Sequence, residues 1–158
     1  MTDPRWLDQE QQRAWRSFLL GTTLLMDRID EDLRRDHGLS AVEYEILVRL
    51  SEADGQLRMA QLAASLAHSR SRVTHTVKRM EGAGLVQRAG STEDGRGVIC
   101  RLTDEGLEML RTAAPSHVET VRQALVDVVP NDDLMALGRV MDAVCDQLIA
   151  AHPERELR

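Results

Sequence analysis

A segment near the middle of the chain, residues 69–79, is rich in guanidinium, ammonium, imidazole and hydroxyl groups. Such groups donate hydrogen bonds to anionic oxygens, and the arginine fork can also pair with the edge of a guanine base. Val73, Val77 and Met80 recur at steps of four and three, which predicts a helix with these side chains turned inward. The polar side chains then share the outward face: Ser69, Arg70, Ser71, Arg72, Thr74, His75, Lys78 and Arg79.

A glycine-rich segment shortly afterwards has the composition of a hairpin loop. Residues 86–89 and 98–102 are predicted as two short strands, and the residues between them are mostly turn formers. Arg96 near the tip could enter a narrow, electronegative minor groove, and Asp94 could pair with it and hold it outward. Arg88, on the first strand, adds another cation to this region.

Two short predicted helices, separated by a tight turn, precede this hairpin. The first covers residues 59–66 and the second residues 69–83, and Gly84 fits the left-handed position that closes a helix. Two helices with this spacing, the second cationic on its outer face, meet the physical description of a helix-turn-helix. An α-helix fits the major groove of DNA, where its side chains reach base edges and phosphates. The hairpin that follows would then form a wing.

Longer helical segments flank this unit. The first spans about residues 6–35 and ends near Gly38, and Ser40 with Glu43 forms a capping box for the helix that follows. The apolar side chains of the first segment recur at steps of three and four, which predicts one amphipathic face.

The C-terminal part of the chain is also predicted to be helical. Thr103 caps a helix whose apolar stripe continues to Val128, and Pro115 is expected to kink or interrupt it. A last stripe runs from Leu134 to Leu148. The small central unit cannot cover all of these apolar faces, so we expect a second copy of the chain to do so.

The charge of the chain is unevenly distributed. Its net charge of −6 by itself argues against a nucleic-acid binder. Residues 57–101, however, hold eight basic and three acidic side chains, a net charge of +5, which leaves −11 for the rest. A basic unit within an acidic protein indicates a local binding site for a polyanion.

Composition and motifs argue against several other classes of protein. No stretch approaches the ~20 apolar residues of a membrane span, and the polar N-terminus has no signal-peptide core, so we expect a cytoplasmic protein. The common nucleophile, zinc-protease, phosphate-loop and dinucleotide motifs are missing, so we predict no enzymatic activity. The histidines are scattered and Cys100 and Cys145 match no metal spacing, so we predict no metal, no cofactor and two reduced, half-buried thiols.

Several of these motifs together resemble one family of regulators. Residues 94–106, which include Asp94, Arg96, Leu102, Thr103 and Gly106, resemble the wing-and-helix signature of the MarR (multiple antibiotic resistance regulator) family. The similarity extends to the family's helix-turn-helix and to the start of its wing, at Leu62-Ala63, residues 73–77 and residues 80–88. The resemblance covers roughly residues 10–150, and it departs from the family at Gly82-Ala83, where charged residues are common.

The resemblance implies partners as well as a fold. It implies a homodimer built from the first, fifth and sixth helices on a pseudo-palindromic DNA site, with Arg96 as the wing arginine and Asp94 as its partner. It also implies a small aromatic or lipophilic effector, bound between the dimer helices and the DNA-binding unit. The side chains we expect to line that site are Trp15, Arg16, Phe18, Met26, His37 and Tyr44. The aromatic and methionine side chains among them suit a core or a dimer interface equally well.

These observations together predict a mainly α protein with a small two-stranded β-wing, a winged helix-turn-helix with flanking dimerisation helices. Residues 39–103 would form the DNA-binding lobe, and residues 1–38 and 104–152 the helical dimerisation region. The predicted function is sequence-specific binding of double-stranded DNA by a transcriptional regulator, a homodimeric repressor released by the effector. The alternative is a protein-interaction module that no longer reads DNA, although such a module has less need of five cations on one helix face.

Overall fold

The computed structural model of the chain describes residues 3–90 and 97–150. Its helices are α1 (Gln9–His37), α2 (Ala41–Glu52), α3 (Met59–Ser65), α4 (Arg70–Gly82), α5 (Asp104–Val121) and α6 (Asn131–Ala150). Its strands are β1 (Gln56–Arg58), β2 (Val86–Gly90) and β3 (Val98–Leu102), and a π-helical segment (Arg122–Val126) follows α5. The predicted fold class, mainly helical with a small β-wing, is confirmed. None of the helices in these ranges has the length and apolar character needed to span a bilayer.

The starts of the helices are set by local sequence. The Glu43 main-chain N–H donates to Ser40 Oγ at 3.2 Å, and the Ser40 main-chain N–H donates to the Glu43 carboxylate at 2.8 Å, as the capping box predicts. Asp8 and Gln11 form a second capping box at the start of α1. Thr103 Oγ1 accepts the Gly106 main-chain N–H at 3.0 Å and caps α5.

The hydrophobic core lies between α2, α3, α4 and the sheet. The side chains that are almost completely inaccessible to solvent are Ile46, Leu47, Leu50, Leu62, Val73, Val77, Met80, Val86 and Cys100. The inward face predicted for α4 is therefore confirmed. Because that face recurs at helical spacing, its burial fixes the rotation of α4 about its own axis, and the polar face must point outward.

The sheet has three strands rather than the two that we expected. β3 is central and pairs antiparallel with β2 on one side and with β1 on the other. β1 has only three residues, Gln56, Leu57 and Arg58, which are too few for their alternation of polar and apolar side chains to indicate a strand. Left-handed backbone at Asp54 (φ 52°) and Gly55 (φ 83°) turns the chain into it, and pairing with β3 then makes it a strand.

Helix α5 continues through Pro115, so the interruption expected there is not found. Proline lacks the N–H that would donate to the carbonyl four residues earlier, which belongs to Arg111. Both residues are exposed, so solvent can satisfy that carbonyl. The irregularity lies further along, in the π-helical segment Arg122–Val126.

The C-terminal end of α1, helix α2 and helix α5 meet in a polar junction, which we call the joint. Asp32 is buried there, and its carboxylate accepts hydrogen bonds from Arg28 at 2.7 Å, Arg35 at 2.7 Å and Thr120 of α5 at 2.9 Å. The hydrogen bond from Arg28 contributes most to a pKa of about 2 for Asp32, because it stabilises the ionised form. The bond from Thr120 therefore joins α5 to α1, and the Ala41 main-chain N–H, which donates to Asp30 Oδ1 at 2.8 Å, joins the start of α2 to α1.

The turn from α4 into β2 packs directly against the start of α5. The Leu85 N–H donates to the Met80 carbonyl at 3.0 Å, and Gly84 is left-handed with φ 77°, as in the predicted Schellman closure. The Leu85 carbonyl in turn accepts the Thr103 N–H at 3.2 Å. A Cβ atom on Gly106 would lie 2.1 Å from that same carbonyl oxygen, so only glycine allows this approach.

We predict that Gly106→Ala destabilises the protein, because the added methyl group forces α5 away from the α4–β2 turn. The expected loss is about 1–3 kcal/mol of unfolding free energy, the usual cost of overpacking a tight contact. Urea unfolding at a fixed protein concentration measures it.

Gly82→Ala is the matched control, because a Cβ atom there meets nothing within 4 Å. Gly82 is the last residue of α4, so this variant should gain up to about 0.5–1 kcal/mol from the reduced entropy of the unfolded chain. Equal stability of the two variants would contradict the role assigned to Gly106.

Candidate nucleic-acid interface

Helix α4 presents one polar face to solvent. Ser69, at its N-cap, accepts the Arg72 N–H at 3.3 Å and lies 3.2 Å from the Ser71 hydroxyl. The side chains predicted for the outward face are all exposed: Ser69, Arg70, Ser71, Arg72, Thr74, His75, Lys78 and Arg79. The structure therefore brings together on one surface the α4 residues that we nominated from the sequence.

The cations of this region fall into two groups. Within residues 3–90 and 97–150, Arg70, Arg72 and Lys78 form no ion pair, so their donors are directed to solvent. Arg79 and Arg88 are instead held by glutamates. The sequence predicted all five as one set, because a partner distant in the chain leaves no local signal.

Arg79 is tied to helix α2. Its Nε donates to the Glu43 carboxylate at 2.8 Å, and the same carboxylate accepts both the main-chain N–H and the hydroxyl of Ser40. Burial of Glu43 opposes its ionisation, but the bonds from Ser40 and Arg79 lower its pKa overall. The glutamate of the α2 capping box is thus also the anchor for α4.

Arg88 is tied to the last turn of α4. Its main-chain N–H donates to Glu81 Oε1 at 2.9 Å, and its Nε and Nη2 donate to Oε2 at 3.0 and 2.8 Å. The main-chain bond is the largest contribution to the lowered pKa of Glu81, followed by the guanidinium. Both side chains are about one-third exposed, so this pair lies between helix and strand rather than on the open surface.

A cleft of about 350 Å³ separates α4 from the base of the hairpin. Arg70 and Thr74 line it from α4, and Arg88 lines it from β2. Arg58, which we did not nominate from the sequence, lines it from the N-terminal end of α3. Among the described residues, the others that line it are Met59, Ala60, Gly97 and Val98. Arg70 forms no ion pair within the described residues and Val98 is apolar, so this part of the cleft suits an anion that carries an apolar group, whereas Glu81 balances the charge of Arg88.

The tip of the hairpin lies outside the described residues, and so do Asp94 and Arg96. The strands that carry the tip are as predicted, with Gly90 paired to Val98 at its base. The roles suggested for Asp94 and Arg96 therefore remain predictions from the sequence.

The residues nominated for an effector form two separate groups. Trp15 and Phe18 stack with ring centroids 5.9 Å apart, and like Arg16 and Met26 they lie on the exposed part of α1. His37 and Tyr44 lie at the joint instead. Because an α-helix rises about 1.5 Å per residue, Trp15 and His37 are roughly 33 Å apart along α1. Within one copy of the chain, these residues do not share one site.

Besides His37, the joint contains His117, a residue that we did not nominate from the sequence. His37 Nε2 lies 2.7 Å from the Ser116 hydroxyl, and the Tyr44 and His117 rings pack with centroids 4.5 Å apart. The buried His117 Nδ1 has no hydrogen-bond partner in the part of the chain that the structure describes. Burial lowers the pKa of His117 because it disfavours the charged imidazolium.

The two cysteines differ in their surroundings. Cys100 is completely buried on β3, and burial raises its pKa to about 11, so its thiol stays protonated and unreactive at neutral pH. Cys145 is exposed on α6, whereas we expected both thiols to be half-buried. Periodicity predicts an apolar helix face for Cys145, but no other element within residues 3–90 and 97–150 covers that face.

Comparison with known proteins gives three kinds of match. Residues 37–97 match a model of the MarR family. The regulator PecS of Dickeya dadantii is 32% identical over 105 residues, which cover 65% of this chain and 63% of PecS. The match thus spans less than two thirds of that relative's length.

Two solved structures from Streptomyces coelicolor match nearly the whole chain. The MarR family regulator Sco3205, solved in complex with DNA, is 43% identical with a TM-score of 0.89, over 94% of this chain and 93% of its own. The MarR family regulator AbsC is 39% identical with a TM-score of 0.88, over 93% of this chain and 99% of its own. These relatives are regulators rather than enzymes, and the similarity extends over both the lobe and the long helices. We conclude that this chain belongs to the MarR family of transcriptional regulators.

Proposed function

We propose that this protein binds double-stranded DNA sequence-specifically through the exposed polar face of α4 and represses transcription. The single observation that supports this best is the α4 surface, on which Arg70, Arg72 and Lys78 point to solvent while the opposite face is fixed in the core. An α-helix fits the major groove, so its outward side chains can reach bases and phosphates together.

The residues along α4 suit different contacts with DNA. Arg70 and Arg72 lie in the first two turns and can each pair with a guanine, and Ser71, Thr74 and His75 offer shorter donors and acceptors beside them. Lys78 lies a turn further on and suits a phosphate. Arg96 would enter the adjacent minor groove, an assignment that rests on the sequence alone.

The cleft beside α4 suits the sugar–phosphate strand between the two grooves. A helix in the major groove and a wing in the minor groove straddle one strand of the duplex. The cleft between α4 and the hairpin lies where that strand would pass, with Arg58 and Arg70 for its phosphate and Val98 for its deoxyribose. The acidic remainder of the chain limits non-specific attraction to DNA.

We propose further that the DNA-binding form is a homodimer. Residues 3–24 are exposed throughout, and no residue of α6 up to Ile149 is buried, although both segments carry large apolar side chains. An uncovered apolar surface of this extent marks an interface. Residues 1–38 and 104–152 would then form the dimer region and residues 39–103 the lobe, and two lobes would read a pseudo-palindromic operator.

A small aromatic or lipophilic effector would act most directly at the joint. His37, Tyr44 and the unpaired Nδ1 of His117 lie where α1 and α5 meet the lobe. A compound that binds there more tightly in one spacing of the lobes than in another would shift the population and release the DNA. Trp15, Arg16, Phe18 and Met26 could contribute only from a dimer, since they lie far along α1 from the joint.

Selection from a random duplex pool tests the proposed function as a whole. We expect recovery of a pseudo-palindrome whose half-sites are about one helical turn, ~34 Å, apart. Recovery of no common sequence, together with weak binding that depends little on salt, would favour the protein-interaction module instead.

We predict that Arg70→Ala weakens specific binding by about 1–3 kcal/mol, the value of one good base contact. Arg96→Ala should cost a similar amount. Fluorescence anisotropy on the selected duplex measures both, with Arg111→Ala, an exposed cation on α5, as the control that leaves binding unchanged. Unchanged affinity of Arg70→Ala would contradict the assignment of α4 to the major groove.

We predict that Val144→Glu converts the dimer to monomers, because Val144 is 43% exposed on the α6 stripe and a glutamate there would be buried without a partner. Arg139→Glu places the same side chain five residues earlier, about 140° around the helix axis, and should leave the dimer intact. Sedimentation equilibrium distinguishes the two variants. A dimer that survives Val144→Glu would place the interface elsewhere.

We predict that a small phenol able to bind at the joint lowers DNA affinity and changes the spacing of the lobes. A panel of phenols can be screened by anisotropy, and the lobe spacing followed by distance measurement between spin labels on exposed α4 residues. If no compound alters affinity, and the spacing is the same with and without DNA, the effector part of the proposal fails.

A further inference from the structure

Helix α4 is attached to the rest of the lobe by two ion pairs at its C-terminal half. Arg79 reaches across to Glu43 at the start of α2, and Glu81 reaches forward to Arg88 on β2. The residues nearer its N-terminus, Arg70 and Arg72, form no ion pair within the described ranges. Lys78, beside Arg79, forms none there either, so Arg79 is the one arginine or lysine of α4 that an ion pair holds within those ranges.

The Glu81–Arg88 pair holds the hairpin to α4 by backbone as well as side chain. Two of the three hydrogen bonds to Glu81 come from the guanidinium, and the third comes from the Arg88 main-chain N–H. Arg88 lies two residues after the buried Val86, on the same face of β2, and it is paired in register with the buried Cys100. Its side chain therefore lies on the face of the sheet that packs against the lobe.

The Glu43–Arg79 pair fixes the other side of α4. Glu43 is buried, and it already accepts two hydrogen bonds from Ser40, so the bond from Arg79 completes its set of donors. A buried carboxylate with this set of partners has one preferred geometry. Arg79 is thereby held at a fixed distance from α2, with its charge already balanced.

We propose that these two pairs brace α4 against α2 and against the hairpin, so that Arg79 and Arg88 are positioning residues rather than DNA contacts. This inference rests on the proposed function, because it concerns how α4 is presented to DNA. Each pair is electrically neutral, so it adds little to the attraction for phosphate. The Glu81–Arg88 pair supplies a fixed spacing between α4 and the hairpin, and the Glu43–Arg79 pair fixes α4 against α2.

A DNA-contacting role and a positioning role for Arg88 predict opposite results for Glu81→Ala. If Arg88 contacts DNA, removing the glutamate frees a guanidinium and removes a negative charge, so binding becomes tighter and its salt dependence steeper. If the pair is a brace, the wing loses its fixed position, and specific binding becomes weaker by about ten-fold, the factor expected for one lost charge-assisted hydrogen bond. Glu81→Gln, which keeps an acceptor for the Arg88 N–H, should lie between the wild type and Glu81→Ala.

The Glu43–Arg79 pair can be tested by comparing Arg79 with Lys78, since the two residues are neighbours on α4 and both are exposed. Replacing each by methionine keeps the aliphatic stem and removes the charge. The slope of log K against log salt concentration falls by about 0.9 for each phosphate contact that is lost. We expect this fall for Lys78→Met, whereas Arg79→Met should lose affinity with its slope unchanged.

The decisive experiment is anisotropy on one selected duplex at several salt concentrations, with circular dichroism to confirm that each variant is folded at the temperature used. Weaker binding of Glu81→Ala, together with an unchanged slope for Arg79→Met, supports the braces. Equal or tighter binding of Glu81→Ala, or a slope for Arg79→Met that falls as much as that for Lys78→Met, overturns them. A wild-type protein that binds no specific duplex refutes the proposed function itself, and the positioning role with it.

Discussion

The architecture of the lobe depends on helix α4 having two incompatible faces. Val73, Val77 and Met80 are almost completely inaccessible, and burial of side chains of this size contributes roughly 1.5–3 kcal/mol each. A rotation of α4 that buried its cations would lose this burial and also leave charges unpaired in the core. The helix is therefore held in one orientation, and that orientation directs Arg70 and Arg72 to solvent.

The neighbouring elements keep α4 at a fixed place once its rotation is set. The start of α5 approaches the Leu85 carbonyl so closely that residue 106 must be glycine, and Thr103 donates to the same carbonyl. The ion pairs of Glu43 and Glu81 hold α4 from either side. The Thr-x-x-Gly spacing at residues 103–106 thus has a direct physical reason, which is a cap and a close approach that together fix the start of α5 against the α4–β2 turn.

The long helices impose a different constraint, since their apolar faces are uncovered in one copy of the chain. Val140, Val144 and Leu148 on α6 are each more than two-fifths exposed, as are Leu19 and Leu20 on α1. Their link to the lobe is the joint, where the Tyr44 ring of α2 packs on His117 of α5 and the Ala41 N–H donates to Asp30 of α1. A change in how two copies pack would reach the lobes through that joint, because it is where α1 and α5 contact the lobe's own helices.

Features that depend on neighbouring residues were predictable from the sequence. The Ser40–Glu43 box, the turn at Gly84, the inward face of α4 and the two strands of the hairpin are all local patterns, since caps and periodicity act within a few residues. The outward set on α4 followed from the same periodicity. The motif at residues 94–106 indicated the family.

Tertiary structure alone decided the features that join distant residues. β1 is a strand only because β3 offers it an edge, and Arg58 belongs to the cleft only because α3 and α4 pack side by side. The sequence placed Arg79 and Arg88 among the DNA contacts, and it could not show that Glu43, 36 residues earlier, and Glu81 would hold them. An ion pair depends on distance in space, and the sequence gives distance only along the chain.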